Sequence, residues 1–133
     1  MDEVSIFAEV KINPTESIDK VKQAVENIFG NVDFKVHSTS KGELLNAEAK
    51  GLESLTKLYN LLRRERIRDA ARRVFFEGQD KKIITFCLNK QVAFAGHISF
   101  SREVAESPLG PIRIEIRCDN PTELIDWLVQ KDT

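Results

Sequence analysis

The sequence predicts an α+β fold, a two-layer sandwich with helices on one face of a mainly antiparallel sheet. Three observations carry this. Apolar residues recur at every second position in residues 4–12, 32–36 and 112–116, the period of a strand with one buried face. They recur at helical spacing in residues 18–29, 52–62, 67–75 and 124–129. The two patterns come in the order β-α-β-β-α-α-β-β-β-α, and alternating strands imply that one sheet face only is covered.

Val4, Ile6, Ala8, Val10 and Ile12 alternate with Glu3, Ser5, Phe7, Glu9 and Lys11 and make the first strand. Asn13 is placed to cap the next helix, Pro14 suits its first turn, and Glu16 completes a capping box. Ile18, Val21, Val25, Ile28 and Phe29 form that helix's apolar stripe, and Gly30 ends it. Val32, Phe34 and Val36 alternate in a second strand. "STSKG" is a turn, and "ELLNAEA" (residues 43–49) is a third strand of lower β propensity.

The next region holds a break. Leu52, Leu55, Leu58 and Leu62, with Leu61 at the margin, form one helical stripe. Ile67, Ala70, Ala71, Val74 and Phe75 form another, about half a turn round from the first at ~100° per residue. One straight helix cannot turn both to the same core. Two helices, or one sharply kinked, therefore meet near Arg63 to Arg66, and no proline or glycine stands there to cause it.

After Gly78 the strand pattern returns with "KIITFCL". Asn89-Lys90 reads as a tight hairpin leading into "QVAFAGHISFS". In that strand Val92, Phe94, Ile98 and Phe100 share one face, Ala93, Ala95, His97 and Ser99 the other, and Gly96 marks a bulge. "REVAESPLGP" is a loop. Ile112, Ile114 and Ile116 alternate with Arg113, Glu115 and Arg117 in the last strand. Asn120-Pro121-Thr122-Glu123 then repeats the helix-start signal before Leu124, Ile125, Leu128 and Val129.

A chain of 133 residues is expected to be one domain, residues 1–133, with a genuine core. Its opening Met-Asp-Glu carries no basic or apolar leader, and no apolar run nears the ~18 residues of a membrane span, so no membrane contact is expected. Cys87 and Cys118 lie far apart in apolar alternating runs and read as plain buried thiols, which suits a cytoplasmic setting. The net charge of −1 hides an asymmetry. Residues 1–49 hold five basic and nine acidic side chains, residues 50–77 eight and four, and residues 78–133 seven and eight. Positive charge is concentrated where six arginines fall within "NLLRRERIRDAARRVFF", and local fields steer anionic partners more than net charge does.

The segments "RIRDAARR", "FCLNKQVAFAGHISF" and "SPLGPIRIEI…IDWL" together resemble an uncharacterised archaeal protein family, number two hundred and one of the UPF series. The resemblance spans nearly the whole chain. It implies the fold of the large-subunit ribosomal protein L-five, an RNA binder. It implies no catalytic residue.

Catalysis finds little support in the residues. His37 and His97 are the only histidines, each alone on its predicted strand without an acidic or thiol partner at ligand spacing. No Walker A or dinucleotide fingerprint is present, so no catalytic set, metal, cofactor or small-molecule ligand is expected. A convergence of His97, Arg113, Glu115 and Arg117 on the open sheet face stays as an enzyme alternative. "SPLGPI" is a rigid connection or a binding loop.

The arginines are the sharpest candidate. Arg63 and Arg64 fall on the polar side of the first of the two helices, and Arg66, Arg68, Arg72 and Arg73 opposite the second stripe. Such a group grips phosphates bidentately, and Lys90 at the hairpin tip would add a contact to structured RNA. Glu65 and Asp69 lie among them at i, i+4 spacing, which equally describes a solvated, salt-bridged face. The second hypothesis is a homodimer through the open sheet face, where Ala93, Ala95 and Ser99 suit flat packing.

Overall fold

In the computed structural model, residues 3–40, 42–101 and 110–130 are described. The fold class is as expected, with five α-helices against a seven-stranded antiparallel sheet. The strands are β1 (Ser5–Ile12), β2 (Asp33–Thr39), β3 (Gly42–Lys50), β4 (Gln79–Asp80), β5 (Ile83–Asn89), β6 (Phe100–Ser101) and β7 (Pro111–Arg117). Their order across the sheet is β2-β3-β1-β7-β5-β4, with β6 also on β5. β1 is central because alternation buries Ile6, Ala8, Val10 and Ile12 and leaves its backbone to pair on both sides, Ser5 opposite Lys50 of β3 and Arg117 of β7.

The helices are α1 (Ile18–Phe29), α2 (Thr56–Arg64), α3 (Arg68–Glu77), α4 (Lys90–Phe94) and α5 (Pro121–Leu128). α1 begins later than its capping signal suggests. Ser17 is the cap and accepts from the Lys20 amide, while Asn13 and Glu16 close a turn of their own. Gly30 ends α1 at φ 76° as expected. Asn120 caps α5 by accepting from the Glu123 amide at 3.1 Å, with Pro121 in the first turn. The apolar faces of helices and strands meet in one core, in which Ala24, Val25, Ile28, Leu58, Leu62, Phe75, Ile114 and Leu124 have no solvent access.

The break between the two leucine and alanine stripes is real, and its cause is local. α2 ends at Arg64 after a single 3-10 turn (Leu52–Leu55) has led into it. The Arg66 amide donates to the Arg63 carbonyl at 3.1 Å and the Ile67 amide to the Leu62 carbonyl at 3.2 Å. This pair of bonds is the Schellman ending, and Ile67 packs against the core that holds Leu62. The position that usually holds glycine holds Arg66, at φ 56°. α3 therefore restarts in a new direction and turns Ala71 and Phe75 to the same core as Leu58 and Leu62.

One predicted strand is overturned. Residues 90–94 form α4, not a strand after a hairpin, and Asn89 is its cap, accepting from the Val92 amide at 3.0 Å. Asn27 of α1 donates to the Ala93 and Phe94 carbonyls and holds the end of α4. Gly96, at φ 86°, lies in the turn after α4 and is not a bulge. Only Phe100–Ser101 pairs with β5. The sequence reading also missed the β4–β5 hairpin, turned by Lys81 at φ 56°. The loop predicted over residues 102–111 lies mostly outside the described residues, as does the first half of "SPLGPI", while Pro111 and Ile112 already belong to β7.

Candidate nucleic-acid interface

The bend distributes the six arginines into three settings. Arg63 turns inward. Its guanidinium lies 3.3 Å from the centre of the Tyr59 ring, which stacks in turn on Trp127 at 4.6 Å. It donates to the carbonyls of Tyr59, Leu128 and Gln130, and so caps the C-terminal end of α5, where a helix favours cations. Arg68 donates to the same Gln130 carbonyl at 2.9 Å, and Arg72 pairs with Asp126 of α5 at 3.1 Å. These three link α2 and α3 to α5.

Arg64 points the other way and donates to the Gly96 carbonyl at 2.7 Å. Beside it, Glu65 accepts from the Ile98 amide and pairs with His97 Nδ1 at 2.8 Å. Burial pushes the Glu65 carboxyl up, but those bonds and the charges of His97 and Arg64 outweigh it and hold it below the usual range. Together they tie the turn after α4 to the α2–α3 joint.

Arg66 and Arg73 form the third setting. Both are exposed, and their guanidinium groups make no hydrogen bond or ion pair with the described residues. Arg73 lines a shallow concavity on α3 with Asp69, Arg72, Phe76 and Glu77. Phe76 is an exposed aromatic, with Arg72 over its ring at 5.9 Å. The sequence reading did not single it out. Its signal was there, since Phe76 falls just off the stripe that ends at Phe75.

Lys90 does not stand at a hairpin tip. It is 4% exposed, and its amine sits 2.7 Å from the Lys11 carbonyl and 3.0 Å from Glu16 Oε1. A buried cation needs such partners, and their geometry takes Lys90 away from any phosphate at the surface. The sequence could not reveal this, because its carboxylate partner lies 74 residues away.

The other face of the sheet carries the remaining alternatives. His97 does not meet Glu115, which faces outward from β7 and accepts from Arg117 at 3.4 Å. Ala93 is buried in α4 and Ala95 follows it, so neither lies in the sheet, and flat packing through those alanines is overturned. Among the described residues no cluster of His, Cys, Asp or Glu has the arrangement of a metal site, and both cysteines are buried and outside any disulfide. Among the same residues, no helix is long and apolar enough to cross a membrane.

Comparison with known proteins gives the relatives. A family model described as RNA binding matches residues 5–118. A UPF0201 protein from Sulfurisphaera tokodaii is 44% identical over 126 residues, covering 95% of this chain and 87% of that one. A UPF0201 protein from Saccharolobus solfataricus is 40% identical over 134 residues, covering 98% and 89%. Among solved structures, the UPF0201 protein from Methanococcus jannaschii matches with TM-score 0.81 at 32% identity, covering 96% of this chain and 98% of that one. A DUF54 protein from Methanothermobacter thermautotrophicus shares the fold, at TM-score 0.64 and 15% identity over 97% and 95% of the two chains.

Proposed function

We propose, from the premise that the chain belongs to the UPF0201 family and matches the RNA-binding family model, that it binds structured RNA through phosphate contacts at the α2–α3 joint. The observation that carries this reading is the pair Arg66 and Arg73, exposed and without an intramolecular partner among the described residues, beside Arg72. A guanidinium fork matches a phosphate bidentately. Arg63, Arg64 and Arg68 serve this reading as scaffold, since each donates to a backbone carbonyl of another element. Recognition by shape follows from the scarcity of exposed aromatics at this surface, where among the described residues Phe76 is the exposed ring beside the arginines. The likeness to ribosomal protein L-five implied by the resemblance adds an argument at the level of fold only. A cytoplasmic setting belongs to the same reading.

Binding to a structured RNA, measured at ~50 and ~200 mM salt, tests it. Affinity falls steeply over that range if phosphates carry the binding, since each neutralised phosphate adds about 0.9 to the slope of log K against log salt for duplexes. Replacing Arg66 and Arg73 with alanine removes roughly two such increments and flattens the slope. No binding at ~50 mM salt refutes the reading.

A further inference from the structure

We propose that the sheet face left uncovered by the described residues is the docking surface for a second copy of this chain, related by a two-fold axis crossing β1 between Phe7 and Glu9. Strand register sets the charge pattern of this face. Pairing places Asp33 opposite Glu48, Glu48 opposite Phe7, and Phe7 opposite Glu115, so three carboxylates share one row across β2, β3, β1 and β7. Two residues along the strands, a second row reads Lys35, Asn46, Glu9 and Arg113. On the other side of the acidic row, Lys50 and Arg117 flank Ser5. Like charges directly opposite each other, as Asp33 and Glu48 are, destabilise a sheet in isolation. A row of carboxylates between rows rich in cations is a surface that matches itself when shifted by one row.

Only one kind of axis achieves that shift. A two-fold along the strands lays each row on its own copy and brings carboxylates against carboxylates. A two-fold across the strands, midway between the rows, exchanges them. Lys35 then faces Asp33 of the second copy, Asn46 faces Glu48, and Arg113 faces Glu115. The uniform twist of a sheet makes a saddle, and a saddle turned about this axis nests against itself. Phe7, with Arg117 over its ring at 5.0 Å, supplies apolar area near the centre. Four strands at ~4.8 Å spacing and about seven residues at ~3.3 Å give on the order of 400–500 Å² of sheet per copy. That is small for a specific interface and sets a weak, salt-sensitive association. The arginines of α3 lie on the helical layer, so this contact stands apart from the RNA reading.

Sedimentation of the whole chain from ~10 µM to ~1 mM at low salt reads the association. A monomer–dimer equilibrium that weakens with salt is expected. Lys35→Asp and Asp33→Lys each weaken association by about tenfold or more, because like charges then meet at both symmetric contacts. An equimolar mixture of the two variants recovers it, since every contact between unlike chains becomes Asp against Lys. Hydroxyl-radical footprinting of the unsubstituted chain is a second readout, with Phe7 protected at dimer concentrations and Phe94 on the helical side unchanged. A monomer throughout, a dimer indifferent to both substitutions, a mixture that fails to recover, or equal labelling of Phe7 at all concentrations overturns the proposal.

Discussion

Arg63 and Arg68 converge on one acceptor, the Gln130 carbonyl, at 2.8 and 2.9 Å from the two sides of the α2–α3 joint. Arg63 also holds the Leu128 carbonyl and lies flat on Tyr59, so its loss strips the end of α5 and opens the Tyr59–Trp127 stack. Arg63→Ala should lower stability by about 2–3 kcal/mol in urea unfolding, and Arg68→Ala by about 1, as bonds to charged donors are worth more than neutral ones. Because the two share an acceptor, each partly covers for the other, and the double variant should lose more than the sum. Arg63→Lys should behave almost as alanine does, since an ammonium neither stacks flat nor forks.

Arg66 holds the left-handed position of the Schellman ending at φ 56°, where a Cβ is unwelcome by roughly 1 kcal/mol. Arg66→Gly should therefore raise stability by up to about 1 kcal/mol, offset in part by glycine's freedom in the unfolded chain. Under the RNA reading the same change weakens binding. Thermal unfolding and RNA affinity moving in opposite directions would separate the two roles of one residue. A loss of stability on Arg66→Gly counts against strain at this position.

The buried pair Lys90–Glu16 makes a prediction with a pH sign. Burial pushes the Glu16 carboxyl up, and the bonds from the Asn13 amide, Lys90 and the Asn13 side chain, with the Lys90 charge, bring it net below its ordinary value. A depressed folded pKa gives stability that is present above the unfolded value of ~4.3 and is lost as pH falls through the folded one. Glu16→Gln should lower stability at neutral pH and flatten its acid side. Lys90→Met should lower stability by about 3 kcal/mol, because it leaves a half-buried carboxylate without its cation. If Lys90→Met is neutral, the pair contributes nothing to the fold.

The contrast between the joint and α4 shows what a sequence can carry. Two apolar stripes half a turn apart exclude a straight helix whatever packs on them, so the bend was legible from Leu52–Phe75 alone. "NKQVAF" admits two readings, since asparagine serves a tight hairpin and a helix cap alike. What decides is distant. Asn27 bonds the carbonyls at the end of α4, and Glu16 receives Lys90. The same holds for the arginines. Local charge placed all six near the bend, but Asp126, Leu128 and Gln130 determine which of them are engaged.

Gly78 is required for space, not for conformation. Its φ of −88° suits any residue, yet a Cβ there would lie deep inside the Thr85 carbonyl oxygen and 3.0 Å from its carbon. The Thr85 amide donates to the Gly78 carbonyl at 2.9 Å, so the end of α3 and the middle of β5 touch backbone to backbone. Neither side can yield without moving the strand that carries Ile84 and Phe86 into the core. Gly78→Ala should lower stability by about 3 kcal/mol or more, as forced overpacking against backbone does. Gly96 provides the control. It has φ 86°, but among the described residues no atom beyond its chain neighbours lies within 4 Å of where its Cβ would stand, so alanine there meets chiefly the left-handed strain of about 1 kcal/mol. Urea midpoints for the two variants should differ in that order, and a Gly78→Ala chain as stable as Gly96→Ala would mean that α3 and β5 are not held in contact at this point.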